Sequence, residues 1–477
     1  MQDCNDPEAP AQGFYALDMA INGRGERVSA FTSFLSREVA LRRRDRLNVC
    51  TGAIASRLEV DAETGIVSGA HIRRSWKEDG GAEDSEFFVK ANREVIICSG
   101  AVCTPQLLLL SGIGPRTGAS PDSSSLAPED LGIPLVKELP AVGATFADHY
   151  SFPVMLELPR RDTFSILQSA WALWYLLLWL LFGTGLMAHS STLLTIFART
   201  SAIDKETMGI RERDDENGAA DTLDASQPRN VPDLEIMLMP VNTLQHAVPG
   251  RSLLSLFPTI VQPRATGRVE LASRDPLAHP RVTHPALRDD ADLAVARRAV
   301  RFTMRLAEEF QNSGYPYPTP LAFAPGNRPA LLAEWERSAA EANPNFAAIP
   351  HPDAGGEGVE KMDVDVNVEP KDGEEKEGKT WKNVTDAEIE DYVRRVAHST
   401  LHYASSCPMS RDAATGVVDE QLRVHGFRNL RIADASVFPL TPSGHTMAPT
   451  MMVAARCADF VKDAWRGEAG SAQRKTK

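Results

Sequence analysis

The chain has 477 residues, 43% of them hydrophobic and 24% charged, which is enough for two or three domains with buried cores. Its formal net charge of −13 argues against a nucleic-acid partner, because binding to phosphates needs a basic face. The six cysteines contain no CxxC pair, so neither a zinc site nor a small disulfide framework is predicted. We expect a globular protein without a bound metal.

The amino-terminal third has an α/β pattern. Residues 30–40 form a helix candidate, and the run Asp61–Gly65 has the composition of a hairpin turn. The apolar run Glu94–Gly100 fits a buried parallel strand, and it leads into a short helix that Thr104 caps and Gly112 ends. A strand, a glycine turn and a short helix in this order are typical of a nucleotide-binding sheet.

Residues 164–188 carry no charged side chain. About 20 consecutive apolar residues are enough for a helix to span a bilayer. Trp171, Trp174, Tyr175 and Trp179 recur at three- or four-residue steps, which indicates an aromatic face. We favour a helix of a second domain that packs inward or lies at a membrane or subunit surface. Membrane association through this segment is therefore possible but not favoured.

Short β patterns between residues 232 and 282, followed by an amphipathic helix at 290–309, predict a second domain with a mostly antiparallel sheet and helices. Residues 353–382 are rich in Gly, Glu, Asp and Lys, which predicts a solvated, disordered insertion. Order resumes at Thr385, because Thr385 and Glu388 have the spacing of a capping box.

Two histidines carry the chemistry that the sequence indicates. His402 lies in the run Thr400–Met409 and His445 lies in the run Pro442–Pro449, with a strand-like run from Leu430 between them. A neutral imidazole can take a proton near neutral pH. Two imidazoles brought into one pocket would therefore suit general-base chemistry on an alcohol.

Several runs resemble the glucose-methanol-choline (GMC) family of flavoenzymes. The run Gly100–Gly114 matches the second signature of that family at every constrained position, and Leu139–His149 is similar to its LPGVGxNLxDH run. Pro263–Ser273 resembles a strand of the family's substrate domain, and Gly416–Val424 leads to Leu430–Pro439 as in the family. The resemblance covers nearly the whole chain from Gly25 to Lys462.

The resemblance implies an α/β fold with an α+β second domain: an incomplete, three-layer, Rossmann-like FAD-binding domain and a substrate domain. It places part of the FAD-binding domain at 1–150 and the substrate domain at 151–393, including the insertion. The chain then returns to the FAD-binding domain and the active site at 394–465, and 466–477 is a frayed tail.

Carried over to this chain, the resemblance makes His402 the base that takes the hydroxyl proton of the alcohol. A hydride leaves the carbon that bears this hydroxyl for N5 of the flavin. His445 falls where the family places His or Asn to orient the substrate oxygen. His149 and His398 are interpreted as structural rather than catalytic. The resemblance also implies that FAD contacts five residues: Ala55, Asp434, Ala435, Thr446 and Met447.

The sequence departs from the family pattern in two places. The HPxGT run around the base is replaced by His402–Cys407. The strand, GxGxxG turn and helix with which family members hold the ADP pyrophosphate are not found, so the chain is predicted to lack the N-terminal FAD-binding segment.

The predicted function is an FAD-dependent oxidoreductase that acts on the CH–OH group of a small alcohol. Tyr403 and the aromatic residues of 171–179 favour an apolar or aromatic alcohol over a sugar. Two alternatives stay open: a truncated, catalytically inactive fragment, and a family member with non-oxidative lyase or cyclase chemistry.

Overall fold

The computed structural model describes residues 2–3, 9–75, 86–118, 127–192, 194–211, 227, 230–343 and 378–474. The chain forms two compact units. The first unit contains residues 1–40, 150–262 and 286–400, and the second contains 41–149, 263–285 and 401–477. These units differ from the predicted segments mainly at 1–40, which joins the unit with the large sheet, and at 263–285, which joins the other unit.

The bounds of the regular elements follow. The strands are β1 Gln2–Asp3, β2 Gly13–Ala16, β3 Ala53–Asp61, β4 Ile66–Arg74, β5 Phe87–Lys90, β6 Val95–Ile97, β7 Ile113–Gly114, β8 Lys137–Glu138, β9 Tyr150–Ser151, β10 Val154–Glu157, β11 Leu194–Ala198, β12 Leu234–Met239, β13 Leu253–Ile260, β14 Arg268–Glu270, β15 Arg281–Thr283, β16 Leu321–Phe323, β17 His398–Ser399 and β18 Leu430–Ile432. The helices are α1 Ala30–Phe34, α2 Arg37–Arg42, α3 Gly100–Leu110, α4 Trp171–Phe182, α5 Asp290–Gln311, α6 Pro329–Ala342, α7 Asp386–Val396 and α8 Met447–Arg474.

The first unit is built on one mostly antiparallel sheet with the strand order β1-β2-β11-β12-β13-β10-β16. Strand β9 pairs with β13, and β17 pairs with β9. Helix α5 packs on this sheet through a buried stripe that includes Leu293, Ala296 and Val300. These side chains recur every three or four residues and so lie on one face of a helix. The predicted antiparallel sheet with helices is confirmed.

Helix α7 begins as its sequence predicts. The hydroxyl of Thr385 accepts a hydrogen bond from the amide of Glu388, and the carboxylate of Glu388 accepts one from the amide of Thr385. This reciprocal capping box satisfies two amides that an isolated helix would leave open. The buried Tyr392 then anchors the helix by donating to the carbonyl oxygen of Pro153, at 2.6 Å.

The uncharged segment 164–188 forms a 3-10 turn and the 12-residue helix α4, and the helix ends at Gly183 in the left-handed conformation. None of the residues of α4 is buried, so the predicted inward packing is not observed. Leu181 and Phe182, for example, are 68% and 69% exposed. No helix of the described residues is long and apolar enough to cross a membrane. Contact of α4 with a membrane or subunit surface stays a prediction.

The second unit contains the parallel pair β6 and β18, in the register Val95↔Leu430 and Ile97↔Ile432. Helix α3 follows β6 at once and begins at Gly100, not at Thr104. Gly100 has φ +79°, which allows the sharp turn from strand to helix. Thr104 was predicted as the cap from its sequence position, but it lies inside the helix with its hydroxyl bonded to another segment.

Four further predictions from the sequence can be compared with the structure. The hairpin at Asp61–Gly65 is confirmed, because it joins the antiparallel strands β3 and β4. The helix predicted at 30–40 is divided into α1 and α2. Residues 466–474 of the predicted tail are helical, since α8 continues to Arg474. Most of the insertion predicted at 353–382 lies outside the described residues.

Candidate active site

The backbone around His402 is held by a short antiparallel bridge within the second unit. The amide of Ala147 donates to the carbonyl of Ala404 at 3.0 Å, and the amide of Ala404 donates to the carbonyl of Ala147 at 2.9 Å. This pairing brings the adjacent Asp148 and His149 opposite His402. Residues more than 250 positions apart in the chain thus meet at one place.

Three histidine rings lie in a row. Nδ1 of His149 is 2.9 Å from Nδ1 of His402, and the two rings meet edge to face with centroids 5.0 Å apart. The centroid of the His445 ring lies 5.1 Å from that of the His402 ring, at an interplanar angle of 73°. His149 is fully buried, whereas His445 is exposed. The structure therefore brings together the two histidines singled out from the sequence and adds a third.

Asp148 binds the main chain at His402. Its carboxylate is completely buried, and Oδ1 accepts a hydrogen bond from the backbone amide of His402 at 2.9 Å. Its other oxygen lies 2.8 Å from Nε2 of His284. A buried carboxylate with partners on both oxygens is fixed in position, so it also fixes the main chain that carries the His402 ring.

The run that replaces HPxGT has a left-handed backbone conformation at the position where the family has glycine. Ser405 stands at the glycine position and has φ +63°. Its amide donates to the carbonyl of Ala435, and its carbonyl accepts from the hydroxyl of Thr145 at 2.7 Å. These bonds hold the left-handed conformation, which costs a residue with a Cβ about 1–2 kcal/mol. The side-chain oxygen of Ser405 is buried and has no hydrogen-bond partner among the described residues.

Ser405→Gly is expected to raise the free energy of unfolding by about 1 kcal/mol. The gain comes from removing backbone strain and an unpaired buried hydroxyl, and the greater freedom of unfolded glycine offsets part of it. Urea unfolding followed by circular dichroism measures the change. Ser405→Ala is the matched control, because it removes the hydroxyl but keeps the Cβ. Equal stability of the alanine and glycine variants would show that the backbone at this position is not strained.

Asp434 and Ala435 lie at the carboxyl end of β18, beside the start of α3. Oδ2 of Asp434 accepts from the amide of Gly100 at 2.9 Å and from the hydroxyl of Thr104 at 2.6 Å. Oδ1 accepts from the amide of Ser436 at 2.8 Å. Because the carboxyl ends of parallel strands meet at one edge, two chain segments more than 300 residues apart form a single turn region there.

Thr446 and Met447 stand at the start of α8, directly after His445. The carbonyl of Thr446 accepts the amide of Thr450 at 3.0 Å, and Met447 is the first residue of the helix. The first amides of a helix have no partner within it and lie at the positive end of its dipole. Pro449 in the first turn is compatible with this, since its missing N–H would have no helical acceptor. The exposed Met447 leaves this helix end open.

Ala55 shares no hydrogen bond with these residues in the part of the chain that the structure describes. It is part of β3, pairs with Ile72 of β4 and packs beside the apolar cluster that includes Leu107. Among the described residues, no hydrogen bond joins it to His402, Asp434 or α8. His398 belongs to the first unit, where its Nδ1 lies 3.0 Å from the carbonyl of Val396 and burial lowers its pKa.

Sequence reasoning did not single out Asp148 and His284, and it interpreted His149 as structural. The available signal was the DH pair at the end of Leu139–His149, which a sequence alone does not connect to His402. Cys407 is buried in the apolar core of the second unit, and burial raises the pKa of its thiol. It is thus a neutral, small apolar side chain. The described residues contain no cluster of His, Cys, Asp and Glu that could hold a metal ion.

Comparison with known protein families shows the family to which this chain belongs. The amino-terminal profile of GMC oxidoreductases matches residues 2–151, and the carboxy-terminal profile matches residues 263–454. The chain belongs to the GMC oxidoreductase family, and FAD is the cofactor of this family. Because the amino-terminal profile matches from residue 2, the amino-terminal part of the family pattern is represented in this chain. The predicted lack of a GxGxxG segment stays a prediction.

Named relatives are similar over most of this chain. "Dehydrogenase str4" from Strobilurus tenacellus is 28% identical over 94% of this chain and 63% of its own length. An "Oxygen-dependent choline dehydrogenase" from Burkholderia ambifaria is 27% identical over 94% of this chain and 62% of its own length. The chain therefore spans less than two thirds of the length of these relatives.

Solved structures share the fold. A variant of formate oxidase from Aspergillus oryzae superposes with a TM-score of 0.66 at 20% identity, over 95% of this chain and 66% of the other. A fungal aryl-alcohol oxidase superposes with a TM-score of 0.63 at 21% identity, over 96% of this chain and 67% of the other. The α/β arrangement with an FAD-binding fold is thus confirmed.

Proposed function

We propose that this chain is an FAD-dependent oxidoreductase that oxidises the CH–OH group of a small alcohol, with His402 as the base. The observation that carries the proposal is the row of three histidines, in which the His402 ring contacts a buried ring and an exposed one. A base so placed can reach a substrate from the exposed side while its own backbone is fixed by Asp148. The oxidation activities named for the similar proteins are consistent with it.

The residues at the edge of β6 and β18 fit a flavin. A Cβ added at Gly100 would meet no atom within 4 Å, and Ser99 before it makes no side-chain capping bond, so the start of α3 is open. The start of α8 is open as well. The positive dipole ends of two helices suit the negative and carbonyl-bearing parts of the cofactor. Asp434, Ala435, Thr446 and Met447 would hold FAD there, with Ala55 as a further contact from β3.

The chemistry of the chain's own residues follows from this placement. His402 takes the hydroxyl proton of the alcohol, and His445 donates or accepts a hydrogen bond that orients the substrate oxygen. FAD, when bound, supplies the hydride acceptor at flavin N5. The alcohol carbon thereby loses a hydride while its oxygen loses a proton, and a carbonyl compound results.

The wall beside the base favours an apolar or aromatic substrate. Tyr403 directly follows His402, and its ring packs against Phe146 with centroids 5.4 Å apart. Phe146 is fully buried and also meets the His284 ring edge to face. Phe146 thus supports the partly exposed ring of Tyr403, and an aromatic face binds apolar groups better than the hydroxyl-rich face of a sugar.

The test is an anaerobic reaction of purified chain that has been loaded with FAD and freed of excess cofactor. Aromatic and aliphatic alcohols, with choline and a sugar for comparison, are added while the visible flavin band is followed. Bleaching of the band together with formation of the carbonyl product supports the proposal. Conversion of substrate without bleaching would establish non-oxidative chemistry instead, and failure to retain flavin would establish an inactive chain. Either of the last two results overturns the proposal.

A further inference from the structure

We infer that His149 is a positioning residue that sets the tautomer of His402, and this inference rests on the proposed role of His402 as base. The two rings meet through identical atoms, with Nδ1 of His149 2.9 Å from Nδ1 of His402. A hydrogen bond between two ring nitrogens requires that one carries the proton and the other presents a lone pair. The pair therefore cannot have the same Nδ1 state in both rings.

The contact is held by the surrounding backbone. The bridge between Ala147 and Ala404 fixes the two main-chain segments next to each other. Asp148, between Ala147 and His149, holds the amide of His402 with one carboxylate oxygen and contacts His284 with the other. His149 is completely buried, so water does not compete for its hydrogen bond. The histidine pair is therefore a stable feature of the second unit.

The direction of this hydrogen bond decides whether His402 can work. With Nδ1 engaged by His149, the nitrogen left to His402 for a substrate is Nε2. If His149 accepts the bond, neutral His402 carries its proton on Nδ1, and Nε2 presents a lone pair. If His149 donates, neutral His402 carries its proton on Nε2 and cannot take another there. Base catalysis thus requires that His149 be the acceptor.

The same contact stabilises the product of proton transfer. Once His402 has taken the hydroxyl proton at Nε2, its ring is a cation that donates from Nδ1 to His149. A hydrogen bond from a charged donor is roughly twice as strong as one between neutral groups. His149 thereby prepares the base for the reaction and stabilises it after proton transfer. In serine proteases, the wrong histidine tautomer lowers kcat by about 10⁴.

Two substitutions separate this role from a merely structural one. In His149→Asn, the amide oxygen can stand near the place of Nδ1 and accept the same hydrogen bond. In His149→Leu, the site stays filled but the acceptor is gone. We expect the rate of flavin reduction to fall by about 10³ or more in the leucine variant. The asparagine variant should stay within about 10-fold of the wild type, since the acceptor is restored.

A second measurement needs neither flavin nor substrate. Nitrogen NMR of chain labelled with ¹⁵N-histidine distinguishes a protonated ring nitrogen from one with a lone pair, and His402→Ala identifies the His402 signals. The wild type and His149→Asn should show His402 protonated at Nδ1, and His149→Leu should lose this fixed state. His398→Asn, which removes a partly buried histidine of the first unit, should leave both the His402 signals and the reduction rate unchanged.

The inference is overturned if wild-type His402 is protonated at Nε2, or if its tautomer is the same in His149→Leu. Equal loss of rate in the leucine and asparagine variants, with an unchanged tautomer, would also overturn it. If no alcohol reduces the flavin of the wild type, the proposed function fails, and the NMR measurement still decides what His149 does to the His402 ring.

Discussion

His402→Ala is expected to lower the rate of flavin reduction by alcohol at least about 10³-fold, because a positioned general base contributes about 10²–10⁴ to a rate. The upper part of this range applies because the structure surrounds this ring with fixed partners, namely His149, His445 and the carboxylate of Asp148 at its amide. Alanine removes the ring but keeps the backbone bond to Asp148. Rapid mixing of FAD-loaded variant with alcohol under anaerobic conditions measures the rate.

The control for this substitution is His425→Ala. His425 belongs to the same unit and is also partly buried, but its Nε2 contacts the carbonyl of Ser410, away from the histidine row. Its replacement should leave the reduction rate within about twofold of the wild type, as expected for a residue that acts on neither ground nor transition state. An unchanged rate in His402→Ala, with flavin bound, would remove His402 from the mechanism.

Arg431→Met is expected to lower the free energy of unfolding by about 3–5 kcal/mol, the usual effect of breaking a buried ion pair from one side. Arg431 is 1% exposed, and its Nε donates to Glu94 at 2.7 Å. The second oxygen of Glu94 accepts from the indole of Trp465 at 2.8 Å. Loss of the guanidinium leaves a buried carboxylate with one neutral donor, and this uncompensated charge is the main cost. Urea unfolding followed by circular dichroism gives the difference.

Two further variants test the cause of that loss. Arg466→Met removes an arginine from an exposed pair with Asp463 on α8, and it should change the stability by less than about 1 kcal/mol. The double variant Arg431→Met with Glu94→Gln removes both buried charges, so it should be more stable than Arg431→Met alone. A double variant that is less stable than the single one would contradict the explanation by an unpaired charge.

Local patterns allowed much of the fold to be predicted. The capping box at Thr385 and Glu388, the apolar stripe of α5 and the turn between β3 and β4 depend on residues within a few positions of one another. Their energies come from neighbours along the chain, so their spacing in the sequence is sufficient to find them. The start of a helix was predicted less well where a contact with a distant segment competes with the local preference of a residue. Thr104 is a residue type that often caps helices, yet it lies inside α3 and its hydroxyl donates to Asp434.

The exposure of helix α4 could not be predicted from its local sequence pattern either. The sequence of α4 is apolar on every side, so periodicity cannot state which face is covered. The structure leaves the helix largely exposed, with contacts such as the bond from the indole of Trp179 to the carbonyl of Gly25. Likewise, nothing in the run His402–Cys407 states that Ser405 takes a left-handed backbone. Bonds to Ala435 and Thr145, both distant in sequence, hold it there.

The sequence by itself determined the family of this protein, the class of its fold and the two histidines His402 and His445, because signature runs and their order are properties of the chain. Only the tertiary structure decided what surrounds them. His149 meets His402 across 253 positions, and Asp434 meets Gly100 across 334. Such contacts depend on the pairing of distant strands and on burial, which no local spacing encodes. The chemistry of the site therefore rests on residues that the sequence contains but does not connect.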